Sequence, residues 1–200
     1  MLLRHGGRWA RLAALFLSCT ATAVPAQTAK PAATPPERAQ ACGACHGPDG
    51  NSPTANTPSI AGQPRLFLEN YLVMTREGIR GSDVMQGLLK GLPDAELVGL
   101  SKHFSALPAK PAPGARDAKL FERGRQVAAA NRCASCHEKT FRGREQMPRL
   151  AGQREDFLAQ AMLQYRQNRR PGGDTIMAAS LYGIAEADFK ALAHYFAQLK

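Results

Sequence analysis

Two five-residue packets carry the most distinctive chemistry in this chain: Cys42-Gly43-Ala44-Cys45-His46 and Cys133-Ala134-Ser135-Cys136-His137. Both read CxxCH. Two thiols one helical turn apart can add across the two vinyl groups of a haem, and the adjoining imidazole can then bind the iron. Other chemistry is open to such pairs. A CxxC can be a redox disulfide, and two pairs can share one zinc. A redox pair needs no histidine after it, and a zinc site does not ordinarily sit inside a long internal repeat. The reading favoured by the spacing is two covalently bound haem c groups. They are attached at Cys42, Cys45, Cys133 and Cys136, with His46 and His137 on the two irons.

An iron held by one histidine has a sixth position to fill. Only Met85 and Met177 are matched between the two halves of the chain. They follow their histidines by 39 and 40 residues, and each lies 19 residues before an aromatic partner, Phe104 or Phe196. Most methionines are core filler. The matched positions, in Gly- and Asp-containing segments read as loops, make these two the expected axial ligands. Met74 and Met162 fall within helical patterns and are expected in the core. Met147 has no counterpart. His103 aligns with Tyr195 and His194 with Lys102, so both histidines are expected as partly exposed helix residues.

The elements that hold these residues are duplicated. Pro58-Ser59-Ile60-Ala61-Gly62-Gln63 recurs 90 residues later as Pro148-Arg149-Leu150-Ala151-Gly152-Gln153, and Phe67-Leu68 recurs as Phe157-Leu158. The repeat is one domain per copy. The expected first domain covers 37–107 and the second 115–200, joined by a Pro-rich linker over 108–114. Apolar residues at three-to-four spacing predict helices over about 64–77 and 94–106, with copies over 154–167 and 186–199. A further helix is expected over 117–130, where Gly124 would permit a close crossing. The first copy has less sequence before its packet, so one or two turns are expected there. Pro93 and Ala185 stand where a capping side chain would be expected. No alternating β pattern of useful length appears.

Residues 1–26 read as a secretory signal, with Arg4, Arg8 and Arg11 ahead of a short apolar core and small residues up to Ala26. Cleavage there would remove Cys19 and His5. Residues 27–36 read as a flexible tether. Export to the periplasm is therefore expected; an uncleaved or lipidated leader would instead anchor the chain at the inner membrane, facing the periplasm. No run of 18 apolar residues exists, which excludes a polytopic membrane protein. The chain has 200 residues and a net charge of +10, which taken alone would point to nucleic acid. The charge is not spread evenly. Residues 37–107 carry six basic and seven acidic side chains, whereas 115–200 carry 15 and nine. That polarity between halves fits orientation on a protein partner better than a nucleic-acid coat.

With the two packets, the two Pro-x-x-Ala-Gly-Gln segments, the two late methionines and the paired terminal helices, residues 37–200 resemble the diheme c4-type cytochromes. That family is built of tandem class I cytochrome c domains. The resemblance implies an all-α fold, each small helical domain wrapped round one haem with His–Met ligation. It places Pro58 and Pro148 on the proximal side, where a backbone carbonyl orients the axial histidine ring. One departure is the second post-histidine loop, His137-Glu138-Lys139-Thr140-Phe141, which lacks the glycines of His46-Gly47-Pro48-Asp49-Gly50; a differently shaped loop is expected there. The function implied is outer-sphere electron transfer, one electron per haem. Its place is a respiratory chain, between a quinol-oxidising complex or dehydrogenase and a terminal oxidase or reductase. Two other readings compete: a diheme peroxidase or thiosulfate-oxidising enzyme, and the cytochrome subunit of a dehydrogenase. Enzymatic chemistry would need an open iron position and a group to handle protons or sulfur, and the matched methionines argue against it.

Overall fold

The computed structural model describes residues 35–200. The leader over 1–26, with Cys19, and the tether up to residue 34 lie outside them. Among the described residues there are nine helices and no strand. The first copy contains α1 (Pro35–His46), α2 (Arg65–Arg76), α3 (Asp83–Leu89) and α4 (Asp94–Ala106). The second contains α5 (Ala118–Ala130), α6 (Ala134–His137), α7 (Glu155–Arg166), α8 (Thr175–Ser180) and α9 (Glu186–Ala197). No helix of the described residues is long and apolar enough to cross a membrane.

Each copy closes around its last helix. In copy one, α4 packs on α1 and α2; in copy two, α9 packs on α5 and α7. The first core is small: Ala39, Leu68, Leu100 and Phe104. The second is larger and includes Val127, Phe141, Leu158, Met162, Phe189, Leu192 and Phe196. At the α5–α9 crossing, a Cβ on Gly124 would run into the Ala191 carbonyl and lie 2.6 Å from the Tyr195 Cβ. The hydrogen there is what lets the two helices approach. The Ala-Gly-Gln turn of each copy is tied to its own terminal helix by one bond: Gly62 N–H donates to Phe104 O at 3.0 Å, and Gly152 N–H to Phe196 O at 2.9 Å.

Helix starts follow the local chemistry. Asp117 caps α5 by accepting from the Lys119 and Leu120 amides. The residues before α4 and α9, Pro93 and Ala185, donate no side-chain cap. Asp94 and Glu96, and Glu186 and Asp188, instead put negative charge on the first turns, where the helix dipole favours it.

As expected, copy one has only about two helical turns before its packet, over 35–41; α1 then carries the CxxCH to its end, whereas copy two breaks before its packet, with Arg132 at φ 51°. Three expectations are corrected. The methionines are not in loops. Ser82 and Asp174 cap short helices, and Met85 and Met177 each occupy the third position after the cap. The loop after His137 is not reshaped. Glu138 and Phe141 adopt φ 69° and 56° where Gly47 and Gly50 adopt 80° and 74°, and Gly50 O and Phe141 O each accept from two equivalent amides. Finally, His194 is buried at 4% exposure, because α9 is covered by α5 on one side and α7 on the other. Its ring bridges the two: Nδ1–H donates to Glu155 Oε2 at 2.8 Å, and Nε2 accepts from the Asp117 amide at 2.9 Å. Accepting at Nε2 requires the neutral ring. His103 is half-buried as expected.

Candidate functional site: two Cys-Cys-His centres and the seam between them

In copy one, the last turns of α1 present Cys42, Cys45 and His46 at i, i+3 and i+4, hence on one side of the helix. In copy two, Cys133 immediately precedes α6, and Cys136 and His137 lie within it. All four cysteines are free thiols, one of each pair half-buried and the other exposed. Burial pushes the Cys42 and Cys133 thiols above their ordinary range. The two packets are not disulfides. Among the described residues, no three His, Cys, Asp or Glu side chains converge as a zinc site requires.

Both histidines are buried, His46 at 6% and His137 at 7% exposure. His46 Nδ1 lies 2.8 Å from Pro58 O, and His137 Nδ1 lies 3.0 Å from Pro148 O. A carbonyl oxygen only accepts, so the proton sits on Nδ1 in both rings and Nε2 keeps its lone pair for a metal. Burial lowers both imidazole pKa values, the first cause in each case, and so favours this neutral, ligating form.

Met85 and Met177 are half-buried, and each is preceded by an exposed apolar residue, Val84 at 71% and Ile176 at 70%. Leu88 and Tyr182 are exposed as well. α3 packs on α2 and α8 on α7, so each methionine and its histidine are carried by separate parts of the copy. Of the other methionines, Met162 is in the second core, whereas Met74 meets Gly172 of the other copy: a Cβ there would lie 3.1 Å from Met74 Cε. The donor set fits haem c: two free thiols with helical spacing, an imidazole with its tautomer fixed, and apolar surface of the kind a porphyrin covers.

One group of residues in the site region carried no role in the sequence reading. Gln63 and Gln153, at 4% and 2% exposure, reach across the seam between copies. Gln153 Oε1 accepts from the Ser59 amide at 2.7 Å, and its Nε2 donates to Ser59 O at 2.9 Å. Gln63 does the same to Arg149, at 2.9 and 3.1 Å. Arg149 is itself 3% exposed, and burial, with Arg142 nearby, lowers its pKa to about 10. Its guanidinium donates to Ala61 O at 2.9 Å and to Ala151 O. These carbonyls are equivalent, one from each copy. Around this centre, Arg154 donates to Ser52 O at 3.1 Å, the Asn56 amide to Asp156 at 3.0 Å, and Arg80 to the Tyr165 hydroxyl at 2.7 Å. The signal in the sequence was the repeated glutamine that ends each Ala-Gly-Gln segment.

Comparison with known proteins agrees with this geometry. The cytochrome c family signature matches residues 121–200. Cytochrome c4 of Pseudomonas aeruginosa is 32% identical over 92% of this chain and 96% of its own length. The thiosulfate dehydrogenase electron acceptor of Thiomonas intermedia is 31% identical, over 83% of this chain and 81% of its own. The crystal structure of reduced recombinant cytochrome c4 from Pseudomonas stutzeri superposes with a TM-score of 0.75 at 29% identity, covering 83% of this chain and 97% of that one.

Proposed function

Because the chain belongs to the cytochrome c4 family, diheme electron carriers with two covalently bound haem c groups, we propose the following residue assignment. Residues 37–107 and 115–200 are its two haem domains. Cys42 and Cys45 hold one haem and Cys133 and Cys136 the other. His46 with Met85, and His137 with Met177, complete the two irons. The observation that carries this is the paired arrangement in which a buried histidine after each CxxC is pinned through Nδ1 to a proline carbonyl.

When bound, the haem supplies a one-electron Fe(III)/Fe(II) couple, and His–Met ligation places it at relatively high potential. The protein does the rest. The Pro58 and Pro148 carbonyls fix the ring planes and raise the basicity of the ligating nitrogens. The capped first turns of α3 and α8 hold the thioethers. With a histidine and a methionine assigned to each iron, a bound haem would have no open position for a substrate, which supports a carrier rather than an enzyme.

We place the carrier in the periplasm, exported by the leader over 1–26, between a quinol-oxidising complex or dehydrogenase and a terminal oxidase or reductase. The Thiomonas relative supports a sulfur-oxidising dehydrogenase as one such donor. The excess positive charge of 115–200 would turn copy two toward the more acidic partner. The ligand assignment is tested with Met85→Ala and Met177→Ala. Each should remove part of the weak long-wavelength absorption of thioether-ligated ferric haem, and a spectrum unchanged by either substitution would refute it.

A further inference from the structure

Each proline carbonyl that receives a histidine belongs to the same peptide unit as the amide held by the opposite glutamine. In copy one the chain of bonds runs from His46 Nδ1–H to Pro58 O, through that peptide to the Ser59 N–H, and on to Gln153 Oε1. In copy two it runs from His137 Nδ1–H to Pro148 O, through the peptide to the Arg149 N–H, and on to Gln63 Oε1. Both glutamine amides have a settled orientation, since each also donates from Nε2 to the carbonyl of the residue whose amide it accepts. Gln63, Gln153, Ser59 and Arg149 are all at least 95% buried, so water does not compete for these bonds.

Hydrogen bonds in such a chain polarise one another, by roughly 10–30% per bond. An amide that donates to a glutamine oxygen makes the carbonyl of its own peptide a stronger acceptor. That carbonyl then draws more on the histidine Nδ1–H, and the far nitrogen becomes more basic toward iron. A more basic ligand favours Fe(III) and lowers the reduction potential. The glutamine that does this for each histidine lies in the other copy.

We propose that Gln63 and Gln153 are crossed positioning residues: Gln153 tunes the haem held by His46, and Gln63 tunes the haem held by His137. The two centres are then coupled through the protein seam by a defined path. The proposal rests on the axial-ligand reading above.

The test is a redox titration of haem-loaded Gln153→Met and Gln63→Met, with the two haems resolved by their separate NMR signals. Methionine keeps the bulk of glutamine and removes its hydrogen bonds. Gln153→Met should favour Fe(II) at the His46 haem about threefold, roughly 30 mV for a one-electron couple, with the His137 haem unmoved. Gln63→Met should give the mirror image. Equal shifts at both haems, a shift at the haem of the variant's own copy, or none at all would overturn the crossing while leaving the ligand reading intact. Failure of the wild type to take up haem would instead defeat the ligand reading. On the wild type, the Ser59 and Arg149 amides should exchange with solvent as slowly as those of α4 and α9. Exchange at the rate of exposed loops would overturn the proposal even if neither variant folds.

Discussion

The two copies build the same histidine-to-carbonyl contact on unequal foundations. Copy one uses glycine where the loop after its packet turns through positive φ, at Gly47 and Gly50, and has a core of few buried side chains. Copy two makes the same turns with Glu138 and Phe141. A left-handed backbone costs a residue with a Cβ about 1–2 kcal/mol. Phe141 offsets this by burial at 6% exposure, with its ring 4.9 Å from Phe196 and 5.8 Å from Tyr195. Gly50 is bound to its conformation for a second reason: a Cβ there would lie 3.0 Å from the Ala61 amide and 3.2 Å from Phe104. The same backbone is reached by freedom in one copy and by packing in the other. Copy two therefore has more stability of its own to lose.

The largest effect is expected where that difference is removed. Phe141→Gly should destabilise copy two by about 2–4 kcal/mol, the usual loss for a buried Phe less the relieved strain. Gly50→Ala should cost copy one at least about 1–2 kcal/mol, from backbone strain with the crowding against Ala61 and Phe104 added to it. Denaturant unfolding with probes in each copy would show the two losses separately. Equal small losses would contradict the contrast.

A smaller effect is expected at the next unmatched pair. His194 joins Glu155 to the Asp117 amide inside copy two, and its counterpart Lys102 is exposed. His194→Ala leaves a backbone donor without its acceptor and should cost about 1–3 kcal/mol. Lys102→Ala should stay within about 0.5 kcal/mol.

The smallest is a pH effect at the linker. The Lys110 ammonium, 2.5 Å from Asp49, is the main cause that lowers its carboxyl to about 2. Since the folded pKa lies below the ordinary 3.8, this tie is fully present above that value and is lost as pH falls toward 2. The linker is also held by Asn51, which accepts from the Lys110 amide and donates to Pro108 O. Cleavage of the linker by an acid-active protease should rise between about pH 4 and pH 2, and Asp49→Asn should cleave at the high rate throughout. Copy two has Thr140 at this position and so has no counterpart of this tie.

The sequence makes legible what covalent chemistry and helical period demand. Thioether attachment needs two cysteines and a histidine at fixed spacing. The apolar faces of α2, α4, α7 and α9 repeat at helical intervals. Met85 and Met177 could be paired by counting alone, although their helices could not be foreseen, since Ser82 and Asp174 cap segments too short to show a period. The glutamine clasp was hidden for a different reason. Gln63 and Gln153 bond to backbone atoms 86 and 94 residues away, and a backbone partner leaves no residue type to recognise. His194 was misread on the same ground, because one of its partners is an amide. Phe141 shows that a positive φ need not announce itself with glycine when the core rewards the side chain.

Two covalently attached haems, one on each Cys-Cys-His packet, can be counted by a pyridine haemochrome assay on the purified protein, calibrated against chain concentration. Two c-type haems per chain are expected, falling to one in Cys42→Ala/Cys45→Ala and to one in Cys133→Ala/Cys136→Ala. A wild-type protein that binds zinc and no haem, or one haem alone, would contradict this expectation.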